Sequence, residues 1–204
     1  MEFQSYCSEC TKEEFELFEP AIEHLISLAN SEILPRFLSG TRVFDKKDHT
    51  PVTEADKGAE RIMREWIEKE FPEHGIFGEE YGIKEARALQ YPKYRWILDP
   101  IDGTRAFITN AFHFGTLIAV EKDSGEGFRP MIGVISHPHV GVWLMGDGKK
   151  TELHLRDGSV REEHVRDTER FEDATLLVTS HWTTPEQKGG HQLQELIDKA
   201  KLYR

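Results

Sequence analysis

Apolar residues recur at three- and four-residue steps over residues 12–38: Phe15, Phe18, Ile22, Leu25, Ile26, Ala29, Ile33, Leu34 and Phe37. That period lays one apolar stripe along a helix, bent near Pro35 and ended by Gly40. A second stripe, Ala59, Met63, Trp66, Ile67 and Phe71, predicts a helix over 54–71, stopped by Pro72 and Gly75. The polar run 44–53 between them reads as a loop or short hairpin. Residues 76–77 and 95–98 are short strand candidates. Residues 84–94, helical in propensity, read as a surface excursion between those strands.

From Phe112 the pattern changes to short strands at 115–120, 131–136, 141–145 and 153–155. Asp123-Ser124-Gly125, Asp147-Gly148 and Asp157-Gly158 supply hairpin turns between and after them. A last strand over 174–180 and a last helix over 191–202 complete the pattern. Helices first and an antiparallel meander afterwards predict an α+β layered fold rather than a doubly wound sheet. The 204 residues fit one domain, 1–204, long enough to bury a full core.

Charge and cysteines narrow the chemistry. A net charge of −11 lacks the basic footprint of a nucleic-acid binder, and an anionic substrate would need cations to offset the local field. No apolar run approaches the roughly 20 residues of a membrane span. The N-terminus, Met1-Glu2-Phe3-Gln4-Ser5, has neither a basic region nor an apolar signal core, so a cytoplasmic protein is expected. Cys7 and Cys10 form a single Cys-x-x-Cys without the further ligands of a zinc site or the βαβ setting of a redox motif. The ten histidines, His154 among them, are scattered without an i, i+4 pair, and His137-Pro138-His139 cannot share one helix face.

The most informative segment is Trp96-Ile97-Leu98-Asp99-Pro100-Ile101-Asp102-Gly103-Thr104. A run of strand type leads into two carboxylates three apart, with Gly-Thr after them. Hard oxygen ligands of this kind suit Mg²⁺, which binds through few carboxylates plus substrate phosphate. Taken alone, the same pattern is as readily a turn with a solvated Asp pair. Upstream, Phe77-Gly78-Glu79-Glu80 and Pro51-Val52-Thr53-Glu54-Ala55-Asp56 add carboxylates at similar boundaries.

Together these motifs resemble the inositol-monophosphatase-like superfamily of Mg²⁺-dependent, Li⁺-sensitive phosphomonoesterases. Arg105-Ala106-Phe107-Ile108 and Gly115-Thr116-Leu117-Ile118-Ala119 resemble its histidinol-phosphate phosphatase branch, where inositol phosphatases more often carry Thr-Asn-Phe after the Gly-Thr. The resemblance implies the layered αβαβα sugar-phosphatase fold, two or three Mg²⁺ per site, a homodimer, and a small phosphorylated alcohol as substrate. Histidinol phosphate, in histidine biosynthesis, is expected first, then inositol monophosphate and adenosine bisphosphates. It further implies that Glu79, Asp99 and the Ile101 carbonyl hold a first metal, and that Asp99 and Asp102 hold a second. Such a pair can steady both the attacking and the leaving oxygen.

Thr104 would relay a proton from the attacking water with Glu79 as base partner. Its N–H, with that of Gly103, would hold phosphate oxygens, while an N-cap role fits the same residue. Asp56 would sit near an optional third metal, or serve simply as a helix-start Asp. Lys46 and Lys47 fall in the loop that closes over the site in relatives, or in a solvated loop. Arg105 would touch substrate, or form a salt bridge. Relatives continue into a C-terminal αβ segment with a Trp-Asp motif whose Asp binds the second metal. Here the sequence stops at Leu202-Tyr203-Arg204, so the expectation is a fragment, or a truncated remnant that binds metal or phosphate without turnover.

Overall fold

The computed structural model of the chain describes residues 7–45, 51–176 and 202–203. Contacts divide the chain into two units, 1–163 and 164–204. In the first unit, helix α1 (Lys12–Ile33) opens on a capping box. The Thr11 hydroxyl accepts the Glu14 N–H, and the Glu14 carboxyl accepts the Thr11 N–H in return. Its buried stripe is the one read from the sequence, Phe18, Ile22, Leu25, Ile26, Ala29 and Ile33. The helix stops five residues short of 38. Pro35 has no N–H to continue the ladder, and the chain goes on in turns with Leu38 and Gly40 at φ 64° and 74°.

Residues 44–53 carry the hairpin alternative. Strand β1 (Val43–Asp45) pairs antiparallel with β2 (Pro51–Thr53). Helix α2 (Glu54–Glu70) follows at once and also opens on a capping box, Thr53 with Asp56.

Eight strands then form one sheet: β3 (Gly75–Gly78), β4 (Gly82–Lys84), β5 (Lys93–Asp102), β6 (Gly115–Asp123), β7 (Phe128–His137), β8 (Val142–Gly146), β9 (Thr151–His154) and β10 (Val160–Glu162). Their order is β10-β9-β8-β7-β6-β5-β3-β4. The β3–β5 pair is parallel and the other neighbours are antiparallel. Residues 85–92 form no helix despite their propensity, because the crossover has no apolar face to bury. The short edge strands β4 and β10 escape the sequence pattern, since each is only three residues long.

Helices α1 and α2 pack on one face of the sheet. There Met63 and Ile67 of α2 join Phe18, Trp96, Leu98, Ile118, Val120, Ile132, Val134 and Met145 in one core. The alternate residues of the strands point the other way. Ile97, Leu117, Ala119, Ile135 and Leu144 line a trough of about 560 Å³ on that second face, with Asp99 at its margin.

Cys10 belongs to the core, and burial pushes its thiol up to about 11, so it carries no thiolate chemistry at neutral pH. Among the described residues no helix is long and apolar enough to cross a membrane.

In the second unit a 3-10 turn (Phe171–Asp173) precedes β11 (Thr175–Leu176), which pairs parallel with β12 (Leu202–Tyr203). The predicted strand 174–180 therefore starts as expected, and its remainder lies outside the described residues. So does the predicted helix 191–202, except Leu202, which is extended in β12 instead.

Candidate active site

Parallel pairing of β3 with β5 sets the site. Gly75 to Gly78 lie opposite Arg95 to Leu98 in register, so the next residues, Glu79 just past the end of β3 and Asp99 within β5, follow side by side. The Glu79 N–H still donates to the Leu98 carbonyl at 3.1 Å, holding the turn against β5. The strand does not end at Leu98 as the apolar run suggests; it runs on through both aspartates. Asp99 faces Leu117 and Asp102 faces Gly115, three steps on β5 against two on β6, so a bulge lies between the carboxylates. Such a bulge bends the strand and re-aims its side chains. The Thr116 hydroxyl, buried, donates to the Pro100 carbonyl at 2.8 Å and fixes the bulge.

Gly103 follows with φ 86°, in the left-handed region, where a Cβ would also press on the His113 carbonyl at 3.2 Å. That turn starts α3 (Thr104–Ile108), a single turn of helix. Buried Ala106 and Phe107 anchor it, with the Phe107 ring against Phe37 and edge-on to Phe114 at centroid distances of 5.5 and 5.2 Å. Thr104 is thereby held half-buried, with Asp102, Gly103 and Arg105 exposed around it.

The Thr104 hydroxyl lies 3.1 Å from the Ile101 carbonyl and 3.5 Å from Asp56 Oδ1. Asp56 is buried at the start of α2, and its Oδ2 accepts the Thr53 N–H at 2.7 Å and the Thr53 hydroxyl. Asp56 thus closes the capping box of α2, and its other oxygen is turned toward Thr104. Burial raises the Asp56 carboxyl above its ordinary range against the Thr53 hydrogen bonds, and the Glu79 charge adds to the rise.

Asp99 is the most perturbed of these groups. Burial first, then the charge of Glu79 and a hydrogen bond with it, then Asp102 and Asp56, push its carboxyl up to about 8. Asp99 Oδ1 is buried and meets no hydrogen-bond partner. Four carboxylates from three segments therefore bear on one another's charge, with one buried oxygen left unsatisfied, and donors of this all-oxygen kind suit a hard divalent cation. The structure brings Glu79, Asp99, Ile101, Asp102, Gly103, Thr104, Arg105 and Asp56 into one neighbourhood; Lys46 and Lys47 lie outside the described residues.

One residue of the site escaped the sequence reading. Glu60 of α2 is fully buried, accepting the Glu80 N–H at 2.6 Å and the Tyr81 N–H at 3.1 Å. Arg64, one turn on, donates to the same carboxyl at 2.7 Å and to the Gly82 carbonyl. Gly78 packs so closely on it that a Cβ there would overlap the Glu60 carboxyl unless that side chain shifted. The signal was present: Glu60 falls on the buried side of α2 with Asp56, Met63 and Ile67, where an acid is unexpected.

The chain belongs to the inositol monophosphatase family, whose sequence profile matches residues 13–200. It is 37% identical over 158 residues to the chloroplastic bifunctional phosphatase IMPL2 of Arabidopsis thaliana, covering 76% of this chain and 43% of that protein. To the histidinol-phosphatase of Chlorobaculum parvum it is 43% identical over 103 residues, which cover 49% of this chain and 36% of that one. Its fold superposes on an inositol monophosphatase from Zymomonas mobilis with a TM-score of 0.65 and 34% identity, over 93% of this chain and 68% of that chain. The chain spans less than half the length of these two curated relatives.

Proposed function

We propose that this chain carries the metal and phosphate site of a phosphomonoesterase that takes a small phosphorylated alcohol. The observation that carries this reading is the parallel β3–β5 register that seats Glu79 beside Asp99, with Asp99 Oδ1 buried and unpartnered. Glu79, Asp99 and the Ile101 carbonyl would hold one divalent cation, Mg²⁺ by the hardness of the donors, and Asp99 with Asp102 a second. The Ile101 carbonyl keeps a lone pair for this beside its bond from Thr104. Cations bound there supply Lewis acidity toward the phosphoryl oxygens and the attacking water.

The chain's own groups do the rest. The Thr104 hydroxyl, set between Asp56 and Ile101, passes the proton of the attacking water toward a carboxylate. The Gly103 and Thr104 N–H groups orient phosphate oxygens, and exposed Arg105 reaches the alcohol half. Water then forms the new bond to phosphorus as the ester oxygen leaves and is protonated.

Among substrates, histidinol phosphate is supported first, by Arg105-Ala106-Phe107-Ile108 and by relatives that bear that activity in their names. Inositol monophosphate is second, supported by the likeness to the Zymomonas mobilis enzyme. Phosphate release with Mg²⁺ across histidinol phosphate, inositol monophosphate and adenosine bisphosphate tests the reading. Hydrolysis of one of the three that is lost on chelation is expected. Turnover that survives chelation and Asp99→Asn would overturn the assignment of the site.

A further inference from the structure

Far from β5, with β6, β7 and β8 between, β9 carries two side chains toward α1. Glu152 and His154 alternate along the strand and so point to one face. Glu19 of α1 meets them there: one oxygen of each carboxylate and a ring nitrogen of His154 all lie within 4.8 Å of one another. His154 is only 7% exposed, and its Nε2 is buried with no hydrogen-bond partner. The Trp143 indole stacks on the ring at 3.5 Å and 15°, which fixes the plane in which its nitrogens point. A buried imidazole nitrogen left unpaired costs free energy unless something binds it. Lys150 already pairs with Glu152 at 2.6 Å, yet Glu19 and Glu23 leave the acid side in excess.

We propose that Glu19, Glu152 and His154 form a second metal site, for a zinc-class divalent ion, that clamps α1 to the outer strands of the sheet. The donor set of one imidazole and two carboxylates is borderline rather than hard, and so favours Zn²⁺ over the Mg²⁺ suited to the β5 carboxylates. Bonds of about 2.0–2.1 Å in a tetrahedron put ligand atoms roughly 3.3 Å apart. Rotation of the two glutamate side chains, both half-buried rather than locked in the core, closes the remaining gap. Water completes the coordination. The sequence hid this site because its ligands are an i, i+2 strand pair and a helix residue more than a hundred positions away.

Zn²⁺ titration of the full chain in excess Mg²⁺, followed by bound metal and by melting temperature, tests the proposal. One Zn²⁺ should bind and raise the melting temperature, since a ligand of the native state alone stabilises it. Glu19→Gln and His154→Gln should each weaken binding at least tenfold, the lower end of what losing even an outer-shell partner costs. Glu19 is not in the buried core, so that variant keeps the test decisive if His154→Gln fails to fold. Asp99→Asn should leave Zn²⁺ binding unchanged, which separates this site from the proposed phosphatase site. No uptake by the wild-type chain, unchanged affinity in folded Glu19→Gln, or loss in Asp99→Asn instead, would each overturn it.

Discussion

Asp99 is where burial and neighbouring charge conflict most sharply at the β5 carboxylates. Its carboxyl, pushed up to about 8 by burial and by Glu79, Asp102 and Asp56, stands above the value of about 3.9 expected in the unfolded chain. Between those two values the folded state binds more protons than the unfolded one, so this group's contribution to stability declines as pH rises. Metal-free wild type should therefore lose stability from about pH 4 to pH 8 relative to Asp99→Asn, which cannot ionise. Urea midpoints in chelator at several pH values measure the difference; parallel pH profiles would refute it. The same variant should cut phosphatase kcat/KM by about a thousandfold or more, as loss of several kcal/mol of charge stabilisation implies, with an unchanged circular dichroism spectrum. Activity within tenfold of wild type at saturating Mg²⁺ would remove Asp99 from the metal set. If Asp102 serves the cation position proposed for it, Li⁺, small and singly charged, should compete there and inhibit without competing with substrate. Full activity in millimolar Li⁺ would count against that position.

At the scale of elements, the site depends on one buried acid beneath a turn. Glu60 holds the Glu80 and Tyr81 N–H groups and so fixes the turn that presents Glu79. Gly78→Ala forces a Cβ into that carboxyl and should cost about 3 kcal/mol, within the range for overpacking, while also displacing Glu79. Thermal melts and kcat of the variant test both effects; a wild-type melt would show that the turn yields freely. Elsewhere the elements were legible wherever one face is buried over several periods. The α1 and α2 stripes and the strands from β6 to β9 all followed the alternation of their apolar positions. The extension of β5 through Asp99 to Asp102 was not legible, because a bulge and the Thr116-to-Pro100 bond hold it rather than an apolar pattern. The end of α1 was misplaced because Phe37 stays buried beyond the helix, in turns that keep the same face inward. His74 shows a similar limit of pattern. It accepts the Trp96 indole N–H at 3.1 Å, and burial, then Lys84, hold it down to about 4. Because its folded value lies below the unfolded one, this contact supports the fold above about pH 6.5 and is lost as pH falls toward 4.

For the whole molecule, the sheet has two unlike faces. One is closed by α1 and α2; the other exposes Ile97, Leu117, Ala119, Ile135 and Leu144 around the trough, with Ile135 48% exposed. The strands were legible in the sequence, but which of their faces the helices cover was not; only the packing of Phe18 and Met63 on Trp96 and Leu98 decides it. An apolar face of this kind on a chain with a net charge of −11 sets attraction against repulsion. Repulsion between exposed charges is screened beyond about 10 Å at 0.1 M salt, whereas apolar contact is not, so added salt should tip the balance toward association. The chain should sediment as a monomer at low ionic strength and as larger species as salt and concentration rise. Ile135→Lys, which places a charge at the most exposed apolar point of the face, with β6 between it and β5, should restore the monomer while changing stability by no more than about 0.5 kcal/mol. Sedimentation velocity over a salt series on both chains decides the matter: a wild-type chain that stays monomeric at high salt, or a variant that associates as wild type does, would show that this face does not govern the solution state.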